Sequence, residues 1–317
     1  MQLLLLHLDD ALELQPEFVR SCAMVGAHEL HEKECGKAVR LWGRQAALDD
    51  LWRRLQQAKV RSASGPRLTF MGSGDFHHVT SLLLDLALED VNEMVTVVHI
   101  DNHPDWVNFD GGMHCGSWVN RALENPRIDK VITLGVCSSD LRSPERKRAN
   151  LNLLAKGRLE LYPYVHAPSR VRAHYGDGQS YEQQSGALHW KTIADVGEMN
   201  FLDRLLASIK TRAVYVTIDK DVLASIDAVT NWDQGCMRLT YVLQIISEIG
   251  RVHRIVGADV TGDYSHPNYS GNLLTRTLKR AEILLDQPSC RSDEKAIRNI
   301  NSAANFALLN VLTEHMQ

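Results

Sequence analysis

The stretch Thr96-Val-Val-His-Ile-Asp-Asn-His-Pro-Asp105 decides the fold. An apolar β-branched run ends abruptly in acid and imidazole. A short run that is apolar on both faces reads as a strand buried in a parallel sheet. In extended backbone alternate side chains share a face, so Asp101, His103 and Asp105 point the same way. In open parallel sheets the ligand crevice lies beyond the carboxyl ends of the strands. Working outward, three more apolar runs end alike. Leu68–Met71 leads into Gly-Ser-Gly-Asp-Phe-His-His (72–78). Ala213–Ile218 leads into Asp219-Lys-Asp221, and Arg254–Ala258 into Asp259-Val-Thr-Gly-Asp263. Further runs at Leu3–Leu8, Val131–Val136 and Leu159–Val165 complete the strand set. Helical patterns fall at Leu48–Ala58, His78–Asp90, Trp118–Glu124, Pro144–Ala155, Glu198–Ile209, Thr240–Gly250, Gly271–Asp286 and Ser292–Glu314. This alternation predicts an α/β domain with a mostly parallel sheet covered by helices.

Residues 1–317 read as a single domain. The Gly-, Ser- and Gln-rich segment 169–186 is a surface excursion, because strand–helix alternation resumes after it. A net charge of −4 is the wrong sign for a nucleic-acid binder. No apolar run approaches the ~20 residues of a membrane helix. Met1–Leu8 reads as a buried strand and not a signal peptide, since Asp9-Asp10 follows at once. Six cysteines without a C-x-x-C pair are expected as reduced thiols in a cytoplasmic protein.

If the Asp101 and Asp219 segments lie on neighbouring strands, four carboxylates and one imidazole converge. Such a group cannot stay ionised without compensation. Two divalent cations would balance it, and the oxygen-rich donor set suits Mn²⁺, with Zn²⁺ possible. Two metals can ionise a shared water near neutral pH. A single strand-end Asp is usually a helix cap or turn former. The two motifs together, each directly after an apolar strand, outweigh that reading.

These residues resemble the ureohydrolases: arginase, agmatinase and formiminoglutamase. Gly72–His78, Asp101–Asp105 and Thr217–Asp221 stand where that family has its three metal motifs. Gly235–Thr240 and Gly257–Val260 resemble two downstream motifs. The resemblance covers roughly residues 65–315 by order and spacing. It implies a three-layer α/β/α fold, two Mn²⁺ ions and hydrolysis of a guanidine or related C–N bond by a metal-bridging hydroxide. On this resemblance Asp101 and Asp219 bridge the metals, Asp105 binds one, and His103 and Asp221 bind the other. The remaining ligand is His77, with His78 as the fallback, because Phe76 is inserted into the motif. Asp101 and the proton-carrying His114 would be the catalytic residues. Family analogy also implies a homo-oligomer.

His114, in Gly-Gly-Met-His-Cys-Gly (111–116), could equally be a loop histidine before the next helix. Cys115 is its rival for a site role. Trp232 and Asp233 could line the pocket. His28 and His31 are one residue short of a zincin spacing and fit a helix surface. Gly72-Ser-Gly74 lacks the Lys of a phosphate loop. The family's guanidinium-reading glutamate falls on Gly262, leaving Asp263 as the remaining acid for a basic substrate. The sequence therefore predicts a small C–N substrate that is not free arginine. Two rival readings remain. One is a single-zinc deacetylase. The other is a protein that keeps the metal site for binding or regulation without turnover.

Overall fold

A computed structural model describes residues 1–60, 65–288 and 293–316. The strands are β1 (Gln2–His7), β2 (His28–His31), β3 (Trp42–Arg44), β4 (Arg67–Phe70), β5 (Val95–Ile100), β6 (Gly112–His114), β7 (Ile128–Leu134), β8 (Leu159–Tyr162), β9 (Ser169–Arg170), β10 (Tyr181–Gln184), β11 (Ala187–Trp190), β12 (Ala213–Asp219) and β13 (Arg254–Thr261). The helices are α1 (Pro16–Met24), α2 (Lys33–Val39), α3 (Gln45–Val60), α4 (Thr80–Leu88), α5 (Trp118–Ala122), α6 (Asn152–Ala155), α7 (Ile193–Val196), α8 (Glu198–Ser208), α9 (Leu239–Val252), α10 (Leu273–Asp286) and α11 (Glu294–His315).

Eight strands form one sheet in the order β2-β1-β4-β13-β12-β5-β7-β8. Every pairing in it is parallel. The expected α/β class is what the chain adopts. Two apolar cores flank the sheet, which makes three layers. Val95 and Val97 of β5 and Ala213 and Tyr215 of β12 enter the core beneath α3, α4 and α5. Val98, Ile100, Val214, Val216 and Ile218 enter the core shared with α1, α8, α9 and α11. The period-two alternation of β5 and β12 carries the first face onward to His99, Asp101, Thr217 and Asp219. The metal motifs therefore extend one face of the sheet past its carboxyl edge.

Several local expectations differ from what forms. The run His28–His31 is an edge strand, not a helix, since β1 pairs with it from Leu4↔His28 to His7↔His31. The helix expected over Pro144–Ala155 splits into a 3-10 turn at Pro144–Lys147 and the short α6. Arg148 breaks it with a left-handed φ of 60°. Segment 169–186 is not plain loop. It contributes β9 and β10 to a small antiparallel sheet with β11. The β10–β11 hairpin closes on Ser185-Gly186, both with positive φ, the conformation a tight two-residue hairpin needs. Helices α1 and α2 had no sequence expectation. Cys290 and the Ser292 start of the last expected helix lie outside the described residues. Among the described residues Cys22, Cys35, Cys115, Cys137 and Cys236 are free thiols. No helix among them is long and apolar enough to cross a membrane.

Candidate metal centre

Three strand ends and one 3-10 turn build the site. The turn Gly74–Val79 follows β4, and the Ser73 hydroxyl caps it by accepting from Asp75 N. It delivers His77, which is 1% exposed. The His77 Nδ1 atom lies 2.9 Å from Asp101 Oδ2, 3.1 Å from Asp105 Oδ2 and 3.6 Å from Asp219 Oδ2. Beside it, His103 Nδ1 lies 2.9 Å from Asp221 Oδ2 and 3.6 Å from Asp101 Oδ1. Asp101 thus faces both histidines, one with each oxygen. Of the two histidines weighed for the first motif, His77 joins the cluster. His78 is buried with neither ring nitrogen hydrogen-bonded, and belongs to none of the metal-competent groups.

The protonation of both ligating rings is fixed from behind. The Thr217 hydroxyl donates to Asp259 Oδ1 at 2.7 Å. Its oxygen is then the acceptor for His77 Nε2–H at 2.9 Å. With a proton on Nε2, Nδ1 is the ring nitrogen turned toward three carboxylate oxygens, where a proton or a metal ion can sit. His103 repeats the arrangement: Nε2–H donates to Asp233 Oδ1 at 2.9 Å, and Nδ1 meets Asp221 Oδ2 at 2.9 Å. Acceptors converging on one point repel unless a proton or a metal ion stands among them. A carboxylate or hydroxyl behind the ring is also how metal-ligating histidines are oriented. The donor set, two imidazoles and four carboxylates, fits one or two divalent ions.

The carboxylates are packed tightly enough to need this. Burial, with the Asp101 charge beside it, pushes the Asp219 carboxyl up to about 7. Burial likewise raises Asp105, and raises Asp221 strongly. Asp101 moves the other way despite its burial, because His103, His77 and His99 all donate toward it. Space around Asp219 is equally restricted. A Cβ on Gly74 would sit 2.6 Å from Asp219 Oδ2, and one on Gly262 would sit 2.3 Å from Oδ1. Gly262 also has a φ of 92°, which only glycine adopts freely.

A polar row underlies the cluster. Thr69, Asp259, Thr217, His99 and Thr133 stand side by side on β4, β13, β12, β5 and β7. Asp259 accepts from Thr80 at 2.9 Å, Thr217 at 2.7 Å and Tyr215 at 2.7 Å. His99 donates from Nε2 to Asp101 Oδ2 at 2.8 Å and meets Thr133 Oγ1 at 3.0 Å. With His77, Asp101 and Asp105 it forms a metal-competent group of its own. Trp118 Nε1 donates to Asp105 Oδ2 at 2.7 Å.

A cavity of about 90 Å³ opens on the cluster, walled in part by Pro104, Val107, His114, Gly116 and Trp232. It is far below the ~300–1,000 Å³ of drug-sized ligand pockets. His114 Nδ1 accepts from Gly116 N at 2.9 Å, and Nε2–H donates to Glu282 Oε1 of α10 at 2.7 Å. A point one Cβ out from Gly116 lies 3.2 Å from His114 Nδ1 and 3.7 Å from Asp105 Oδ1. The Nδ1 edge of the ring therefore faces the carboxylates. Cys115 is buried, and that burial, with Glu282 and Asp105 nearby, keeps its thiol protonated. Trp232 joins the wall, tethered by its Nε1 donating to Asp75 at 2.9 Å.

No family model matches the chain. Over 196 residues it is 23% identical to a Thermotoga maritima protein described only as uncharacterised. That match covers 62% of this chain and 58% of the other. Solved structures are more informative. Proclavaminate amidino hydrolase from Streptomyces clavuligerus superposes with a TM-score of 0.61 at 15% identity, over 100% of this chain and 93% of its own. Formimidoylglutamase from Bacillus subtilis gives 0.59 at 14%, over 98% and 85%. Arginase from Bacillus subtilis gives 0.58 at 12%, over 98% of both. The chain has the ureohydrolase fold.

On that fold two expected substrate contacts require correction. Asp263 does not enter the cavity. Its carboxylate is 2% exposed and takes an ion pair from Lys220 Nζ, with Asn305 Nδ2 donating at 3.1 Å. Lys220, between Asp219 and Asp221, holds the acid one residue beyond Gly262. Asp233 is spent on His103 and on Asn102, so it orients the His103 ring and is not part of the cavity wall. Two residues of this ureohydrolase-fold site had no sequence expectation. His99 was legible only as one more member of an apolar run, although it shares the face of Asp101. Glu282 sits in a distant amphipathic helix with no local motif.

Proposed function

We propose that the chain is a binuclear, divalent-metal-dependent hydrolase of a small C–N substrate, with a metal-bridging hydroxide as nucleophile. The ion is Mn²⁺ or Zn²⁺, and the substrate a guanidine, an amidine or imine, or an amide. The observation that carries the reading is the pair of histidines, each held from behind so that Nδ1 is turned toward the carboxylates. His77, Asp101, Asp105 and Asp219 would hold one ion. Asp101, His103, Asp219 and Asp221 would hold the second. Such ions, when bound, make hydroxide available near neutral pH.

The chain's own groups account for the proton. Glu282 holds the Nε2 proton of His114, which leaves Nδ1 as the nitrogen that can take a proton. When its bond to Gly116 N opens, Nδ1 takes a proton from the cavity, and Glu282 stabilises the imidazolium. The same Nδ1–H then goes to the departing amine. Trp232 walls the cavity and excludes water.

Free arginine is a poor fit. Asp263 is neutralised by Lys220, and Gly262 cannot carry a side chain without striking Asp219. The substrate is then less basic than a guanidinium, or is read by groups outside the cluster. The test is metal stoichiometry after Mn²⁺ loading, then a panel of guanidines, amidines, imines and amides with urea and ammonia measured separately. Fewer than one metal per chain removes the reading. Tight metal with no turnover across the panel moves the chain to the binding or regulatory reading. One zinc per chain with activity on acetylated amines moves it to a deacetylase. A cytoplasmic homo-oligomer is proposed by analogy alone. A monomeric mass in light scattering at micromolar concentration would contradict the oligomer.

A further inference from the structure

A second cluster stands apart from the carboxylates, at the edge of the sheet. His7 closes β1 and is paired in register with His31 of β2, while Glu29 precedes His31 by two residues. Side chains in register on parallel strands share a face, and so do residues two apart. His7, Glu29 and His31 therefore project together from the sheet's edge.

His7 is 1% exposed, and neither of its ring nitrogens has a hydrogen-bond partner. That is costly, because a buried polar group left unpaired gives up its bonds to water and gains none in return. The surroundings do not relieve it. Glu13 Oε1 is 3.9 Å from Nδ1, and that glutamate is already paired with Lys33 at 2.6 Å. Burial, with His31 stacked on it at 4.2 Å, lowers the His7 pKa, so the ring is neutral with one nitrogen's lone pair free for a ligand.

The spacing around Glu29 is informative. Its Oε2 lies 3.3 Å from His7 Nε2 and 3.5 Å from His31 Nε2. One ligand atom from each of the three residues falls within 4.8 Å of the others. Zinc–nitrogen and zinc–oxygen bonds of about 2.0–2.2 Å in a tetrahedron put neighbouring ligand atoms about 3.3–3.6 Å apart. The two measured separations fall in that range. They are long for hydrogen bonds and right for a shared ion. We propose that His7, Glu29 and His31 form a mononuclear site for a zinc-class ion, with the fourth position open to water. Two imidazoles against one carboxylate favour Zn²⁺ and its neighbours over Mn²⁺. The ion would clip edge strand β2 to β1. Nothing in this proposal depends on the binuclear centre.

Zinc per chain is measured after Zn²⁺ loading and gel filtration, for the full chain and three variants. His31 and Glu29 have side chains 59% and 31% exposed, so His31→Ala and Glu29→Gln should fold, which circular dichroism checks. Each is expected to carry one zinc fewer than the parent. The double variant Asp219→Asn with Asp221→Asn should lose zinc at the main cluster and keep this one. Losing an outer partner of a metal ligand costs about 10–100-fold in affinity, so losing a ligand should cost more than ~100-fold in a chelator competition. Equal zinc content and equal affinity in the parent and in both edge variants would overturn the site. Should the Asp double variant fail to fold, the difference between the parent and His31→Ala still decides.

Discussion

Replacing Thr217 with Val should weaken divalent-metal binding without touching a ligand. The two side chains have nearly the same shape, so the perturbation is the loss of one oxygen. That oxygen accepts His77 Nε2–H at 2.9 Å and passes its own proton to Asp259 at 2.7 Å. Without it a fully buried N–H has no acceptor, at a cost of about 1–3 kcal/mol. The ring can escape by moving the proton to Nδ1, where Asp101 and Asp105 oxygens wait at 2.9 and 3.1 Å. A metal must then displace that proton. Outer partners of metal-bound histidines are worth about 10–100-fold in affinity, or about 1.4–2.7 kcal/mol. The independent cost of the orphaned N–H falls in the same range. The assay is Mn²⁺ affinity by chelator competition, with nitrogen NMR reporting the His77 tautomer. Thr217→Ser keeps the oxygen and should restore affinity. An unchanged affinity in Thr217→Val, with the proton still on Nε2, would refute the relay.

Three further outcomes follow from the site. Glu282→Gln should lower kcat about 10–100-fold and shift the pH–rate profile while leaving metal content unchanged, as the proton-carrying role proposed for His114 requires; an unchanged profile would remove Glu282 from the mechanism. In the metal-free protein, Asp105, Asp219 and Asp221 bind protons when folded that they release when unfolded, so stability should fall as pH rises toward and past about 7. His77 and His103, raised by their carboxylate neighbours despite burial, act in the same direction, their contribution being lost as pH climbs through their folded values. Asp101 opposes this only in acid, below the usual carboxylate range. Urea unfolding at several pH values with EDTA checks the slope, and added Mn²⁺ should flatten it; a chain that gains stability with pH would contradict the assignment. Asp263→Asn should destabilise the fold by about 3–5 kcal/mol, through an unpaired buried Lys220, and leave KM unaltered; a raised KM at unchanged stability would return Asp263 to the substrate.

What the sequence made legible was whatever repeats along one strand. Asp101, His103 and Asp105, or Asp219 and Asp221, are adjacent in a line, and an apolar run before them gives the strand away. The parallel sheet followed from the same runs. What stayed hidden depends on register between strands. Thr217 meets Asp259 and His99 meets Thr133 only because four strands align at that level, and no local spacing encodes that alignment. Glu282 reaches His114 across 168 residues from a helix whose pattern says only that it is amphipathic. The pairing of Lys220 with Asp263 was missed for a different reason. Alternation showed that Lys220 leaves the metal face, but not that the displaced acid would be waiting on the other side.

The residues proposed to hold metal match the ureohydrolase pattern more closely than the position proposed to read substrate. Both histidines, the carboxylates and Gly74, which crowds Asp219, stand where the resemblance puts the metal motifs. The guanidinium-reading position has instead become a glycine in a left-handed turn, and the next acid is buried against a lysine. A metal used only as a staple would need neither a cavity over the cluster nor a carboxylate behind a histidine that faces it. His114 and Glu282 provide that pair, and it lies outside the ligand set. The binding and catalytic readings therefore separate at Glu282. If the ions serve structure alone, Glu282→Gln changes neither metal content nor any reaction. If they serve chemistry, the same substitution leaves the ions in place and slows turnover of whichever C–N substrate the panel reveals.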